Sequence, residues 1–315
     1  MNAAIHVQGL VKSYGRTRAL DGLDLEVGTG EVFGFIGPNG AGKSTTIRVL
    51  MDLLRPDAGT AQVFGRTPAE GGPELRARIG YLPGELAMKG PVRAGDHLQH
   101  LAALRGGRGR DRIDALAERF RLDLDRPLRA LSKGNKQKVG VIQAFMHDPE
   151  LLVLDEPTSG LDPLLQHEFL ELVRERAAAG ATVFMSSHVL REVESVADRV
   201  AIIRAGRIVD VDSVRGLRER AGQRVAFTFA APPELAAFAD VAELHDARLD
   251  GANLSGLLRG APDALLKVAA RHEVVAWSAR DRDLEDLVLD VSRLGAAGAV
   301  GADGNVGTNG GRDAR

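Results

Sequence analysis

Residues 37 to 45 read Gly-Pro-Asn-Gly-Ala-Gly-Lys-Ser-Thr, between a short apolar run and the start of a helical pattern. The stretch fits G-x-x-x-x-G-K-[ST], which a chain of this composition reaches by chance about once in a hundred. Gly37, Pro38, Asn39, Gly40, Ala41 and Gly42 form the loop, and Lys43, Ser44 and Thr45 open the helix. The glycines allow backbone N–H groups to turn inward around phosphate oxygens. The helix N-terminus adds its partial positive charge. Lys43 is placed to reach β- and γ-phosphates, and the Ser44 hydroxyl to bind Mg²⁺. The bland alternative is a Gly-rich strand–helix turn with no ligand.

A second apolar run, "LLVLDEP", ends on Asp155 and Glu156. Two adjacent carboxylates there are costly unless they serve a cation or a water. Asp155 is the natural Mg²⁺ partner; Glu156, pointing the other way, could polarise an attacking water. Alone, such a pair is more often a helix N-cap, but beside a phosphate loop the balance reverses. His188 follows a third apolar run, "TVFMSSH", and so falls at the carboxyl edge of a sheet, where ligands bind. There it reads as a γ-phosphate contact. One more stretch stands out: "ALSKGNKQKVGVIQAF" begins a helix with lysines, where the dipole prefers negative charge.

The elements that must position these residues follow from patterning. "IHVQGLV" and "ALDGLDLEV" alternate as antiparallel strands do, whereas "EVFGFIG" is nearly continuous apolar sequence, as in a strand buried on both faces. A helix is expected from Lys43 to Leu54, closed by the turn at Pro56-Asp57. Val92 to Leu131 is helical without a convincing strand. Within it "RGGRGRDR" reads as a solvated connection, with a partner or acidic lipid contact as the lesser alternative. After "LLVLDEP" come a helix to Ala179, "TVFMSSH" and a hairpin, "RVAIIRAGRIVDV". Strand–helix–strand alternation of this kind predicts a parallel sheet. From Gln223 the order β-α-β-β-α-β-α suggests a small ferredoxin-like unit, its last helix in "DLEDLVLDVSRL". The tail 295–315 is Gly-rich and too poor in apolar residues to order itself.

Composition narrows the function classes. The chain has 315 residues, 44% hydrophobic and 27% charged, and a net charge of -2, so no global basic field argues for nucleic acid. It has no cysteine, which excludes disulfides and thiolate metal sites. No apolar run reaches eighteen residues, and "MNAAIHVQGLVKSYG" lacks the layout of a signal peptide. Work at a membrane is therefore expected to go through a partner.

Taken together, "GPNGAGKST", "LSKGNKQKV", "LLVLDEP", "SGLD" and His188, in that order, resemble the ATP-binding subunit of an ABC transporter over Ile5 to Ser213. The resemblance implies an α/β fold: a P-loop ATPase domain over 1–221, with a mixed sheet, an antiparallel β subdomain and a helical subdomain near 86–147. A small α+β accessory domain at 222–294 follows it. It implies ATP hydrolysis with Mg²⁺, a homodimer or heterodimer of ATPase subunits, separate integral membrane permease subunits, and a peripheral place on the cytoplasmic side of the membrane. By the same resemblance Tyr14 stacks on adenine, Glu156 is the catalytic base and Asp162 belongs to a loop that crosses between subunits. Ser132, Lys133, Gly134 and Asn135 correspond to the signature that contacts ATP bound by the other subunit, a reason for cations at that helix end.

Two positions depart from the family pattern. The signature is usually Leu-Ser-Gly-Gly-Gln, and here Lys133 and Asn135 replace its third and fifth residues. This form resembles the ATPases of drug, antibiotic and ABC-2-type exporters, as does "DLEDLVLDV". Gly84 stands where the family has a Gln that touches Mg²⁺ and water, so Glu85 or water must complete the metal shell. Competing readings are a soluble ABC ATPase acting on DNA or ribosomes and an importer subunit. The short spacing from phosphate loop to signature, the single ATPase unit and the signature form argue against them.

Overall fold

The structure is a computed structural model and describes residues 3–282. The helix expected in "DLEDLVLDVSRL" and the Gly-rich tail lie outside the described residues. Strands β1 (Ala3–Tyr14) and β2 (Thr17–Gly28) form an antiparallel hairpin. β3 (Val32–Ile36) is buried along its whole length, as its unbroken apolar sequence predicts. Helix α1 (Lys43–Leu50) stops four residues short of the expected Leu54. Asp52 adopts a left-handed φ of 57°, and Leu53 is 63% exposed, so no burial draws the helix through another turn. β4 (Ala58–Val63), which the strand pattern did not single out, pairs with β1 to complete a three-stranded sheet, β2-β1-β4.

Helix α2 (Pro68–Ala77) and strand β5 (Ile79–Leu82) lead into a helical region, as expected: α3 (Ala94–Leu104), α4 (Ile113–Arg119) and α5 (Lys133–Phe145). The Gly/Arg loop between α3 and α4 includes a short 3₁₀ turn, Arg110–Arg112, and Arg112 pairs with Asp148. β6 (Leu151–Asp155), α6 (Pro163–Ala178), β7 (Thr182–Ser187), α7 (Leu190–Glu194) and the hairpin of β8 (Arg199–Arg204) with β9 (Arg207–Ser213) complete the larger sheet. Its order is β5-β6-β7-β3-β8-β9, parallel except for the last pair. Alternate residues of β6 feed two cores. Leu151 and Val153 join the cluster shared with β1, β2 and α1, while Leu152 and Leu154 join the helical side. That two-sided burial is why the strand reads as an unbroken apolar run.

Helix α8 (Val214–Ala221) connects to β10 (Gln223–Phe229), β11 (Leu244–Asp250), β12 (Asn253–Leu258), α9 (Asp263–Ala269) and β13 (Val274–Asp281). The strands lie in the order β11-β12-β10-β13, antiparallel throughout, which is the ferredoxin-like arrangement. The helix expected at "PPELAAF" is a single 3₁₀ turn, Leu235–Phe238. Val225, Phe227 and Phe229 pack against Phe238, Leu265 and Ala269 in a core of their own.

Candidate active site

The phosphate-loop backbone is possible only because of its glycines. A Cβ on Gly37 would stand 2.3 Å from the Ile203 carbonyl oxygen, and one on Gly42 2.7 Å from that of Ala19. Gly42 also has φ 115° and precedes α1 without any side-chain cap, so the first N–H groups of that helix are left for a ligand. Lys43 is 5% exposed and folds back over the loop. Its Nζ donates to the carbonyls of Gly37 at 2.6 Å and Pro38 at 3.3 Å, and lies 3.2 Å from Glu156 Oε1. That last contact is an ion pair without hydrogen-bond alignment, which leaves Glu156 Oε1 buried and lacking a donor among the described residues. A buried carboxylate oxygen in that condition is costly and suits a ligand or water close by.

The two carboxylates do diverge. Asp155, 4% exposed, accepts a hydrogen bond from Ser186 Oγ at 2.6 Å. Glu156 takes a left-handed φ of 48°, uncommon for a non-glycine residue, which turns its side chain toward Lys43 and His188. Its Oε2 lies 2.5 Å from His188 Nδ1. Two adjoining hollows of about 550 and 250 Å³ share Asn39, Ser44 and Glu156. The larger is also walled by Gly84, Glu85, Asp155 and His188, and the smaller by Pro38, Gly40, Lys43 and Thr45. The loop, both acids and His188 thus converge on one cleft at the carboxyl edge of the parallel strands. Tyr14, the last residue of β1, is 47% exposed and does not line either hollow.

The signature segment is built onto the same region from the other side. Ser132 caps α5 by accepting from the Asn135 N–H at 3.3 Å. Lys133 Nζ donates to Ser159 Oγ at 3.2 Å, and a Cβ on Gly134 would stand 2.6 Å from the Gly160 carbonyl oxygen. Gln137 is buried and donates to the Pro157 carbonyl at 2.6 Å. Asp162 caps α6 through the Leu165 N–H at 3.0 Å. Within one chain, therefore, the lysine at this helix end meets the turn that follows the two acids. Ser186 escaped the sequence reading, while Gln137 and Ser159, though inside motifs that carry the resemblance, had no role assigned there. Ser186, which with Ser187 closes a buried strand whose centre is apolar, two residues before His188, was the one with a readable signal.

The fold and site define a phosphate-loop nucleotide-binding ATPase. The ABC transporter family model matches residues 20–159. A daunorubicin/doxorubicin resistance ATP-binding protein of Streptomyces peucetius is 40% identical over 227 residues, 70% of this chain and 69% of that one. A fluoroquinolones export ATP-binding protein of Mycobacterium tuberculosis is 34% identical over 300 residues, covering 91% and 93%. The solved structure of an ATP-binding subunit of an ABC transporter, 32% identical, superposes with a TM-score of 0.64 over 69% of this chain and 92% of its own. This chain belongs to the ABC transporter ATP-binding proteins and is an ATP hydrolase. No helix among the described residues is long and apolar enough to cross a membrane.

Proposed function

We propose that this chain is the energy-coupling subunit of an exporter of drug, antibiotic or other hydrophobic cargo. It works through integral membrane permease subunits on separate chains, from the cytoplasmic face of the cell membrane, as a homodimer or heterodimer of ATPase subunits. The relatives, a daunorubicin/doxorubicin resistance protein and a fluoroquinolones export protein, support the cargo class. The observation that carries the ATPase chemistry is the convergence of Lys43, Ser44, Asp155, Glu156 and His188 on one cleft.

In this reading residues 1–221 are the catalytic unit and 222–294 an accessory one. The loop from Gly37 to Thr45 holds the triphosphate, and Tyr14 lies against the adenine. Mg²⁺ needs only one or two protein oxygens besides phosphate and water. The site fits that demand: among the described residues no group of three or more His, Asp or Glu forms a metal cage, yet Ser44 and Asp155 line one hollow. Bound there, Mg²⁺ supplies charge neutralisation of the phosphate oxygens. An incoming γ-phosphate competes with Glu156 for the Lys43 ammonium, which releases Glu156 to take a proton from the attacking water. His188 holds the other carboxylate oxygen and contacts the γ-phosphate. The segment Ser132 to Asn135 meets the ATP of the second subunit, and the Asp162 loop crosses between subunits.

Glu156→Gln tests the assignment. ATP binding is expected to persist, hydrolysis to fall by about 10²–10⁴-fold, and an ATP-bound dimer to accumulate on size exclusion. Near-parental turnover in the purified variant would remove Glu156 from the role of base.

A further inference from the structure

The face of the C-terminal sheet turned away from its core carries charge that ATP hydrolysis does not use. Strand register sets one row across all four strands: Arg248 opposite Ser255, Ser255 opposite Ala226, and Ala226 opposite Ser278. The neighbouring row places Leu257, Arg224 and Arg280 side by side. Three small exposed residues, Ala226, Ser255 and Ser278, therefore make a floor, and arginines rise around it. Arg259 and Arg282 extend the rim, enclosing a hollow of about 690 Å³. Asp246, in the irregular stretch of β11, is the one carboxylate among the described residues of its wall.

This arrangement has a cost. Like charges directly opposite across a strand pair repel, and Arg224 and Arg280 are such partners, although Arg224 is also engaged elsewhere. Arg248, Arg259 and Arg280 make no ion pair among the described residues. Among the described residues Asp240, Asp263 and Glu273 of the same unit stand outside the hollow, while Arg224 and Arg282 have partners of their own. A bound polyanion would pair with Arg248, Arg259 and Arg280, whose guanidinium forks match pairs of phosphate oxygens. No aromatic side chain among the described residues lines the floor, so a nucleobase finds none there to stack on. The volume falls in the range of roughly 300–1,000 Å³ typical of small-molecule sites, and a concave cradle suits a compact solute better than a bilayer surface.

We propose that this hollow binds a compact soluble polyanion carrying at least two phosphate groups, at a site separate from the ATP cleft. The single tryptophan of the chain, Trp277, adjoins Ser278 on β13 and stacks on Phe227 with ring centroids 5.9 Å apart, which makes it a built-in reporter. The test titrates inorganic tripolyphosphate into the full chain carrying Lys43→Ala, so that the phosphate loop contributes little, and reads Trp277 fluorescence and heat. Saturable one-to-one binding that weakens with salt is expected. R248S/R280S should weaken it at least about tenfold, given that each lost charge-assisted contact is worth about that much. With Lys43 intact, the same double variant should bind ATP as the parent does. Ser278→Asp, at an exposed strand position, puts a carboxylate on the floor and should weaken binding to a similar degree; it carries the test if the double variant fails to fold. Absence of saturable binding at millimolar tripolyphosphate, or equal binding by variants and parent, overturns the proposal. So does arginine-dependent sedimentation with phosphatidylglycerol vesicles by a chain that ignores tripolyphosphate.

Discussion

A Cβ on Gly84 would lie 3.2 Å from Asp155 Oδ2, tighter than ordinary contact but against a carboxylate able to shift slightly. Glycine here leaves the metal side of the cleft short of one polar side chain, and Glu85 lines the same hollow. Gly84→Gln is therefore expected to lower the Mg²⁺ concentration for half-maximal hydrolysis, and Glu85→Ala to raise it, each by up to about tenfold. Identical Mg²⁺ titrations in both variants would exclude this loop from metal binding. A different residue sets part of the pH response. His147 is buried, its Nε2 3.2 Å from the Ile79 carbonyl oxygen and its Nδ1 without a partner among the described residues. Burial first, and then the positive charge of Arg105, lowers its pKa from 6.5 to about 4. The unfolded chain thus binds a proton between those values that the folded chain refuses. Stability is full above pH 6.5 and is lost as the pH falls toward 4. Denaturant midpoints at pH 7 and 5 should differ, and His147→Phe should shrink the difference. His97, whose pKa burial also lowers, accounts for part of what remains.

At the level of elements, α8 divides the work. Its Leu217 and Ala221 are buried with the larger core, and the chain then leaves the helix at Gly222 with φ 72°. Beyond that point β10 to β13 bury their own apolar cluster. All the residues assigned to ATP precede it. A chain ending at Ala221 keeps the last anchoring contacts and is expected to stay folded and bind ATP with little change, as judged by circular dichroism and nucleotide titration. Lost binding in a truncated chain that is still folded would show that the accessory unit completes the site.

For the whole molecule the question is whether the signature serves its own ATP or a neighbour's. Within the chain Ser132 caps α5, and Lys133 meets Ser159 on the turn after the acids. A signature acting across a dimer predicts separable defects. Ser132→Arg should spare ATP binding and abolish hydrolysis, whereas Lys43→Ala should damage binding in its own chain. A mixed dimer of the two then has one site with both defects and one with neither. Hydrolysis reappearing in differentially tagged mixtures, although each variant alone is inactive, is the expected result. Cross-linking of ATP to Ser132 in the same chain that supplies Lys43 would rule the arrangement out.

What the sequence determined by itself was whatever chemistry is local. The loop from Gly37 to Thr45 is contiguous, and the two acids end a run whose apolar pattern is that of a buried strand. The succession of strands and helices in the ferredoxin-like unit was legible along the chain, although its first helix is only a 3₁₀ turn. β4 escaped because its "AGTAQV" has exposed residues at one end and little apolar weight. Only the tertiary structure brought Glu156 within 3.2 Å of Lys43 and 2.5 Å of His188. Only it stood Gly134 against the Gly160 carbonyl and set Arg224 beside Arg280. Such contacts join residues far apart along the chain, and their distances depend on how sheets and helices pack, which spacing does not encode.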